Sequence, residues 1–260
     1  MTNNLRSFSL DFFNLAGKVA IVTGGNKGLG QAYAVALAKS GADLFVVSRS
    51  EDWNETKELI EETGQRAVFF KADLSDRAKV KQAAAECMKE YGRIDILVNN
   101  AGTIRRAPIL EYKEEDWDAV MEINLNSIYL LSQEVAKVMV EQRSGKIINV
   151  ASMLSFQGGK FVPPYTASKH AVAGLTKAFA NELAEYNIQI NAIAPGYIAT
   201  DNTAPIRADE KRNAEILSRI PAARWAAPSD LMGVVVFLAS DASNYMNGHI
   251  LAIDGGWLAR

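Results

Sequence analysis

Apolar residues in this chain fall in short unbroken runs separated by longer amphipathic stretches. The runs are KVAIVTG (18–24), DLFVVS (43–48), RAVFFKA (66–72), RIDILVNNAG (93–102), GKIINVAS (145–152), IQINAIAPG (188–196) and HILAIDGG (249–256). They are rich in β-branched residues and bounded by Gly, Asp, Asn or Pro, which reads as strands. Strands apolar on both faces belong in a parallel sheet covered by helices on each side. Between them the spacing becomes helical, over 28–41, 54–64, 77–92, 116–140 and 168–186. In the last of these, Ala171, Leu175, Ala178 and Leu183 recur at helical intervals. The alternation predicts an α/β, doubly wound fold with a seven-stranded parallel sheet, helices on both faces and right-handed crossovers.

No Pro/Gly/Ser linker, low-complexity tract or repeat divides the chain, so a single domain is expected over 1–260. The least regular part, about 197–227, holds Pro205 and Pro221 around the charged helical patch RADEKRNAEILSRI. A segment of that length hanging from a strand end is expected to be a substrate-covering lid.

Composition narrows the function. The 260 residues are 48% hydrophobic, enough for a substantial core, and carry a formal charge of -2 with no basic block. That argues against nucleic acid as a partner. A lone cysteine, Cys87, excludes an internal disulfide, and no metal site is expected. No apolar run is long enough for a membrane span. The N-terminal MTNNLRSFSLDFF lacks the features of a signal peptide, so a soluble cytoplasmic protein is the default.

Candidate chemistry sits at the carboxyl ends of the runs. TGGNKGLG (23–30) follows the first strand and opens the first helix, with spacing Gly24-x-x-x-Gly28-x-Gly30. Such a loop offers a tight turn, close backbone approach and helix N–H donors to a pyrophosphate, so Gly24, Asn26, Lys27, Gly28, Leu29 and Gly30 are candidate ligands. A glycine-rich turn that holds nothing is the alternative. In VNNAG (98–102), Asn99 and Asn100 are expected to face the crevice, with Ala101 and Gly102 leaving room for an adenosine or ribose. Past the third strand, Asp73 beside Leu74 either accepts from an adenine amino group or caps a helix.

The reactive candidates come next. Ser152 closes the fifth strand and lies 13 positions before Tyr165, which shares a helix face with Lys169. Asn124 lies far inside the run 116–140, where an amide has poor helix propensity and must find partners. A phenol that exchanges protons near neutrality needs its pKa lowered by ~2–3 units, roughly 3–4 kcal/mol. One cation about 4 Å away at an effective dielectric near 20 supplies about 4 kcal/mol. Lys169 is therefore expected to make Tyr165 a proton-transfer group.

TGGNKGLG, NNAG, Asn124, Ser152, Tyr165-x-x-x-Lys169 and PGYIAT (195–200) together resemble the short-chain dehydrogenase/reductase family, over about 14–260. The resemblance implies a Rossmann-type fold, a nicotinamide cofactor and the catalytic tetrad Asn124, Ser152, Tyr165 and Lys169. It also implies cofactor contacts from Tyr165, Lys169, Pro195, Gly196, Ile198 and Thr200, and a homotetramer with the two long central helices at an interface. The second strand ends in Ser48 and Arg49 where an acidic residue would select NAD. Arg49 and Lys27 lean toward NADP(H), while Glu51 and Asp52 could turn inward, so NAD(H) and NADP(H) both remain open. Stretches 147–159, 191–212, 219–225 and 247–260 resemble family members acting on keto-sugar acids, a subgroup that leans to NAD. Such a substrate needs a cationic clamp and hydroxyl partners. Arg105, Arg106 and Arg207 are the candidates for its carboxylate, and Gln157 for its hydroxyls. Gluconate dehydrogenases and other keto reductases of the family are the alternative; a non-catalytic cofactor sensor on the same fold carries little weight, because the whole tetrad is present.

Overall fold

A computed structural model describes residues 9–260; most of the N-terminal segment read above, 1–8, lies outside them. Seven strands form one parallel sheet: β1 (Val19–Thr23), β2 (Asp43–Ser48), β3 (Ala67–Lys71), β4 (Ile96–Asn99), β5 (Gly145–Val150), β6 (Ile188–Pro195) and β7 (Ile250–Ile253). Their order is β3-β2-β1-β4-β5-β6-β7, so the chain winds one way from β1 and then the other way from β4. The carboxyl ends of β1 and β4 thus flank the reversal point, where open α/β sheets place ligands.

Helices α1 (Gly28–Lys39), α2 (Asn54–Glu61), α3 (Arg77–Tyr91), α4 (Glu114–Met121), α5 (Ser127–Gln142), α6 (Pro163–Leu183), α7 (Ala204–Ala208), α8 (Glu210–Arg219) and α9 (Met232–Ala239) complete the fold. Alternate strand residues feed two cores. Ala20, Val22, Leu44, Val46, Ile96 and Val98 pack with Tyr33 and Leu37 of α1 and Val235 and Leu238 of α9. Val19, Ile21, Phe45, Val47, Leu97 and Ile147 pack with Val80 and Cys87 of α3 and Leu131 and Val135 of α5. Cys87 is a buried hydrophobe whose thiol burial pushes up to about 12. Among the described residues, no helix is long and apolar enough to cross a membrane.

All seven expected strands are present, each shorter than or equal to its apolar run. Side chains do the trimming. Asp95 turns its carboxylate to the Val19 N–H and to Arg93, so β4 begins at Ile96 rather than near 93. Asn100 leaves the ladder to bind Thr23, ending β4 at Asn99. The run 116–140 is helical throughout, but Glu122–Asn126 forms a π turn between α4 and α5. Asn124 sits in that turn.

Candidate active site

The glycine loop is built for close approach. Gly24 has φ +63°, in the left-handed region, and a Cβ on Gly30 would stand 2.0 Å from the Gly24 carbonyl oxygen. Gly28, also at φ +54°, faces Thr200 with space beyond, so the loop and the PGYIAT turn share one mouth. Lys27 caps α1 without a side-chain hydrogen bond, leaving the first-turn N–H groups for an anion. Thr23, which sequence reasoning did not single out, ties the loop to β4: its hydroxyl accepts the N–H groups of Asn100 and Ala101. Asn100 donates its side-chain amide to the carbonyls of Thr23 and Gly24. These residues fit a dinucleotide phosphate, with Asn100 shaping the loop rather than reaching out of it. Asn99 departs from the expectation that it faces the crevice. It is buried and donates to Ser132 and Asn149, because neighbouring strand residues point to opposite faces.

The remaining cofactor candidates divide by side chain. Asn26 spans to Ser50 and the Asp52 carbonyl, and Ser48 donates to the Ser50 carbonyl, so both shape the end of β2. Leu74 and Ile198 are buried in the cores and Leu29 packs against one, so their side chains serve packing. Asp73 accepts from Ser75, which holds its carboxyl below the usual range; the helix cap itself is Asp76. Pro195 ends β6, and a Cβ on Gly196 would strike the Asp254 backbone at 2.6 Å. Gly102 opens toward Asn124, where a Cβ would meet Oδ1 at 3.4 Å. Around the ribose end, Asp52 pairs with Lys27 at 2.6 Å and Glu51 with Lys71 at 3.2 Å. Neither acid turns inward. Arg49 is exposed, makes no hydrogen bond or ion pair among the described residues, and faces Asp73 only at longer range.

Asn124, Ser152, Tyr165 and Lys169 meet in one cleft. Tyr165 and Lys169 lie one turn apart on α6, with the lysine Nζ 5.5 Å from the tyrosine ring centroid. Lys169 is buried and donates to the Val150 carbonyl at the end of β5, at 2.6 Å. Ser152 caps the short turn Met153–Ser155 and hydrogen-bonds to the Tyr165 phenol. Asn124 is fully buried and exchanges two hydrogen bonds with the Thr103 main chain, at 2.8 and 2.9 Å, then reaches Ser168 of α6. The poorly placed helix amide is thereby satisfied, and it locks the loop after β4 against α6.

The electrostatics differ from expectation. Burial raises the Tyr165 pKa above its ordinary value, and the lowering influences are Ser152 and Arg106. Lys169 is itself pushed down to about 8 by burial. The expected effect assumed a fully charged ammonium; the lysine found here is desolvated and hydrogen-bonded to the Val150 carbonyl.

The substrate candidates separate clearly. Arg105 is engaged by Asp116 at 3.3 Å and by Thr103. Arg207 donates to the Thr200 carbonyl. Arg106 is exposed, has no hydrogen bond or ion pair among the described residues, and its charge acts to lower the Tyr165 pKa. Gln157 lies beside the β7 edge with Phe156 and His249, and accepts from Arg219 at 3.4 Å. Arg219, unremarked in the sequence as a site residue, stacks 4.1 Å over Trp257. Trp257 and Tyr197 anchor an aromatic cluster with Trp225, onto which Ile216 and Ile220 pack. Its members lie far apart in sequence, and only aromatic content in 197–260 hinted at it.

A sheet reversed between β1 and β4, a glycine loop at the reversal and a Ser-Tyr-Lys cleft on its rim define a dinucleotide-dependent oxidoreductase. A family model for short chain dehydrogenases matches residues 18–211. A 2-dehydro-3-deoxy-D-gluconate 5-dehydrogenase of Bacillus subtilis (strain 168) is 56% identical over 96% of this chain and 98% of its own. The uncharacterized oxidoreductase YgcW of Escherichia coli (strain K12) is 51% identical over 99% and 98%. A crystal structure of a gluconate 5-dehydrogenase from Burkholderia cenocepacia in complex with NADP and tartrate superposes with a TM-score of 0.93, at 37% identity over 97% of this chain and all of that one. The chain belongs to the short-chain dehydrogenase/reductase family.

Proposed function

We propose that this chain is an NAD(P)-dependent dehydrogenase of keto-sugar acids, interconverting a secondary alcohol and a ketone, with 2-dehydro-3-deoxy-D-gluconate oxidised at C5 as the favoured reaction. The observation that carries the substrate class is Arg106, an exposed guanidinium on the loop after β4 with no hydrogen bond or ion pair among the described residues, whose charge acts to lower the Tyr165 pKa. A carboxylate is the group that such a cation binds best. The Bacillus subtilis relative acts, by its name, on a substrate of this kind.

A bound nicotinamide supplies or accepts the hydride. Tyr165 gives its proton to the carbonyl oxygen in reduction and takes it from the alcohol in oxidation. Ser152, already hydrogen-bonded to the phenol, orients that oxygen. Lys169 balances negative charge on the phenolate and holds the nicotinamide ribose. Asn124, its side chain committed to Thr103, keeps the rim of the cleft in place. Segment 197–227 acts as the lid, closing on Trp257. Arg49 stands free and Glu51 is held by Lys71, which favours NADP(H), although Asp52 engages the second cation, Lys27. The chain forms one cytoplasmic catalytic domain and assembles as a homotetramer.

Nicotinamide absorbance with a panel of keto-sugar acids and their neutral counterparts tests the reading. Arg106→Ala should raise KM for acids at least tenfold and leave neutral ketones nearly unchanged. Equal turnover of neutral and acidic substrates would end the clamp. The same panel separates gluconate 5-dehydrogenation, a second reading that the name of the Burkholderia relative supports. Tyr165→Phe should lower kcat by about 10²–10⁴-fold with cofactor affinity retained; retained turnover would remove the phenol from proton transfer.

A further inference from the structure

The helical run from Glu114 to Gln142 leaves α geometry once, in the π turn Glu122–Asn126, and two side-chain devices hold the break. An α-helix would pair the Ile123 carbonyl with the N–H of Ser127, four residues on. Here that N–H goes to the Glu122 carbonyl, five residues back, and the Ser127 hydroxyl takes its place on Ile123, at 2.6 Å. Ser127 is 4% exposed, so water has little access to replace it. The second device is ionic. Arg77, the first residue of α3, donates to both oxygens of the Glu122 carboxylate, at 2.6 and 2.9 Å, and the Asn126 amide donates to the same group. The guanidinium holds the Glu122 carboxyl below the usual carboxylate range.

Asn124 lies inside this turn, so the turn decides where its amide points. Relaxing to α geometry shifts the register by one residue, a rotation of about 100° around the axis. The amide would then leave what it holds: both main-chain groups of Thr103 and, at 3.4 Å, the Ser168 hydroxyl. Ser168 precedes Lys169 and donates to the Tyr165 carbonyl, so Asn124 reaches the catalytic turn of α6 through it. We propose that Ser127 and the Arg77–Glu122 pair are positioning residues for the reaction. They keep the π turn from relaxing, and Asn124 then holds the loop after β4 against the part of α6 that carries Tyr165 and Lys169. Ser127 has the larger share, because it is buried whereas Arg77 is mostly exposed and its charge is screened by solvent. The inference rests on the reading of Tyr165 and Lys169 as the proton-transfer pair.

The test measures Ser127→Ala, Ser127→Thr and Arg77→Met on whichever carbonyl substrate the enzyme turns over best, and follows exchange of the Thr103 N–H with deuterated water in the same proteins. Ser127→Ala should lower kcat about tenfold, the worth of one hydrogen bond, with KM and dinucleotide affinity within about twofold of wild type. Arg77→Met should lower kcat about threefold, the scale of a partly exposed ion pair. Ser127→Thr keeps the hydroxyl donor and should hold kcat within about threefold of wild type. The Thr103 N–H should exchange about tenfold faster in Ser127→Ala, because Asn124 no longer protects it. A serine that only stabilised the helix would lower the melting temperature and leave kcat of the folded protein as it was. Exchange needs no turnover, so the link from Ser127 to Asn124 is read separately from the role of Tyr165. The proposal is overturned if folded Ser127→Ala keeps wild-type kcat, if its Thr103 exchange is unchanged, or if Ser127→Thr loses as much activity as Ser127→Ala. Unchanged kcat in Arg77→Met overturns its ionic half.

Discussion

At the scale of single residues, Lys169 couples function to a stability penalty. It is 3% exposed, and burial lowers its pKa to about 8, whereas an unfolded lysine keeps its proton to 10.5. Between those values the unfolded chain binds more protons than the folded one, so the stability contribution of this residue rises with pH across that window and is smallest below it. The full span is worth roughly 3 kcal/mol at 1.36 kcal/mol per unit. Lys169→Met abolishes the titration. Urea denaturation of both proteins at pH 7.5 and 10 should show the stability difference moving about 2 kcal/mol in favour of wild type at the higher pH. A difference constant with pH would mean that the ammonium is solvated in the fold. That Ser152, Tyr165 and Lys169 come together was legible in the sequence, because helix geometry pairs 165 with 169 and Ser152 closes a recognisable strand. The charges around it were not legible. Arg105, Arg106 and Arg207 look alike in sequence, and only folding brings Asp116 and the Thr200 carbonyl to two of them.

Elements impose the next constraint. The loop after β4 carries no regular hydrogen-bonding pattern of its own at Thr103, and both main-chain groups there depend on Asn124 in the π turn. Asn124→Leu would leave a donor and an acceptor of the half-buried Thr103 without partners, at about 1–3 kcal/mol each. A loss of at least 2 kcal/mol is expected by chemical denaturation, with kcat falling alongside because the cleft rim is released. Asn124→Asp keeps the acceptor for the Thr103 N–H and should be intermediate. The glycine loop admits a sharper test. Gly30→Ala would push a methyl group onto the Gly24 carbonyl, 2.0 Å from its ideal position, and onto the Asn100 amide. Backbone on the far side cannot yield cheaply, so dinucleotide affinity by fluorescence titration should drop by at least a hundredfold. Element type followed from the sequence, since a run buried on both faces admits few other solutions. Element ends did not, because they are set by Asp95, Asn100 and Thr23 reaching across 75 or more residues.

Across the whole molecule, the order reversal between β1 and β4 explains why chemistry scattered from residue 23 to residue 200 converges on one rim. It does not explain the outer surface. Tyr129 of α5 is 40% exposed and lies 6.0 Å from Phe179 of α6, ring centre to ring centre. Ile109, Leu110 and Phe161 are likewise exposed. Exposed large apolar side chains favour self-association, and a net charge of only -2 opposes it weakly. If the α5 and α6 faces pair between copies, light scattering after gel filtration should give four chains per particle. The melting temperature should then rise with protein concentration, since association stabilises the folded state by mass action. Tyr129→Glu places a charge in that face and should reduce the particle to two chains or one. It should also lower the melting temperature and remove its concentration dependence, while dinucleotide binding, which uses the glycine loop after β1, stays within about threefold of wild type. A Tyr129→Glu protein of undiminished mass would place the contact on some other surface of the molecule.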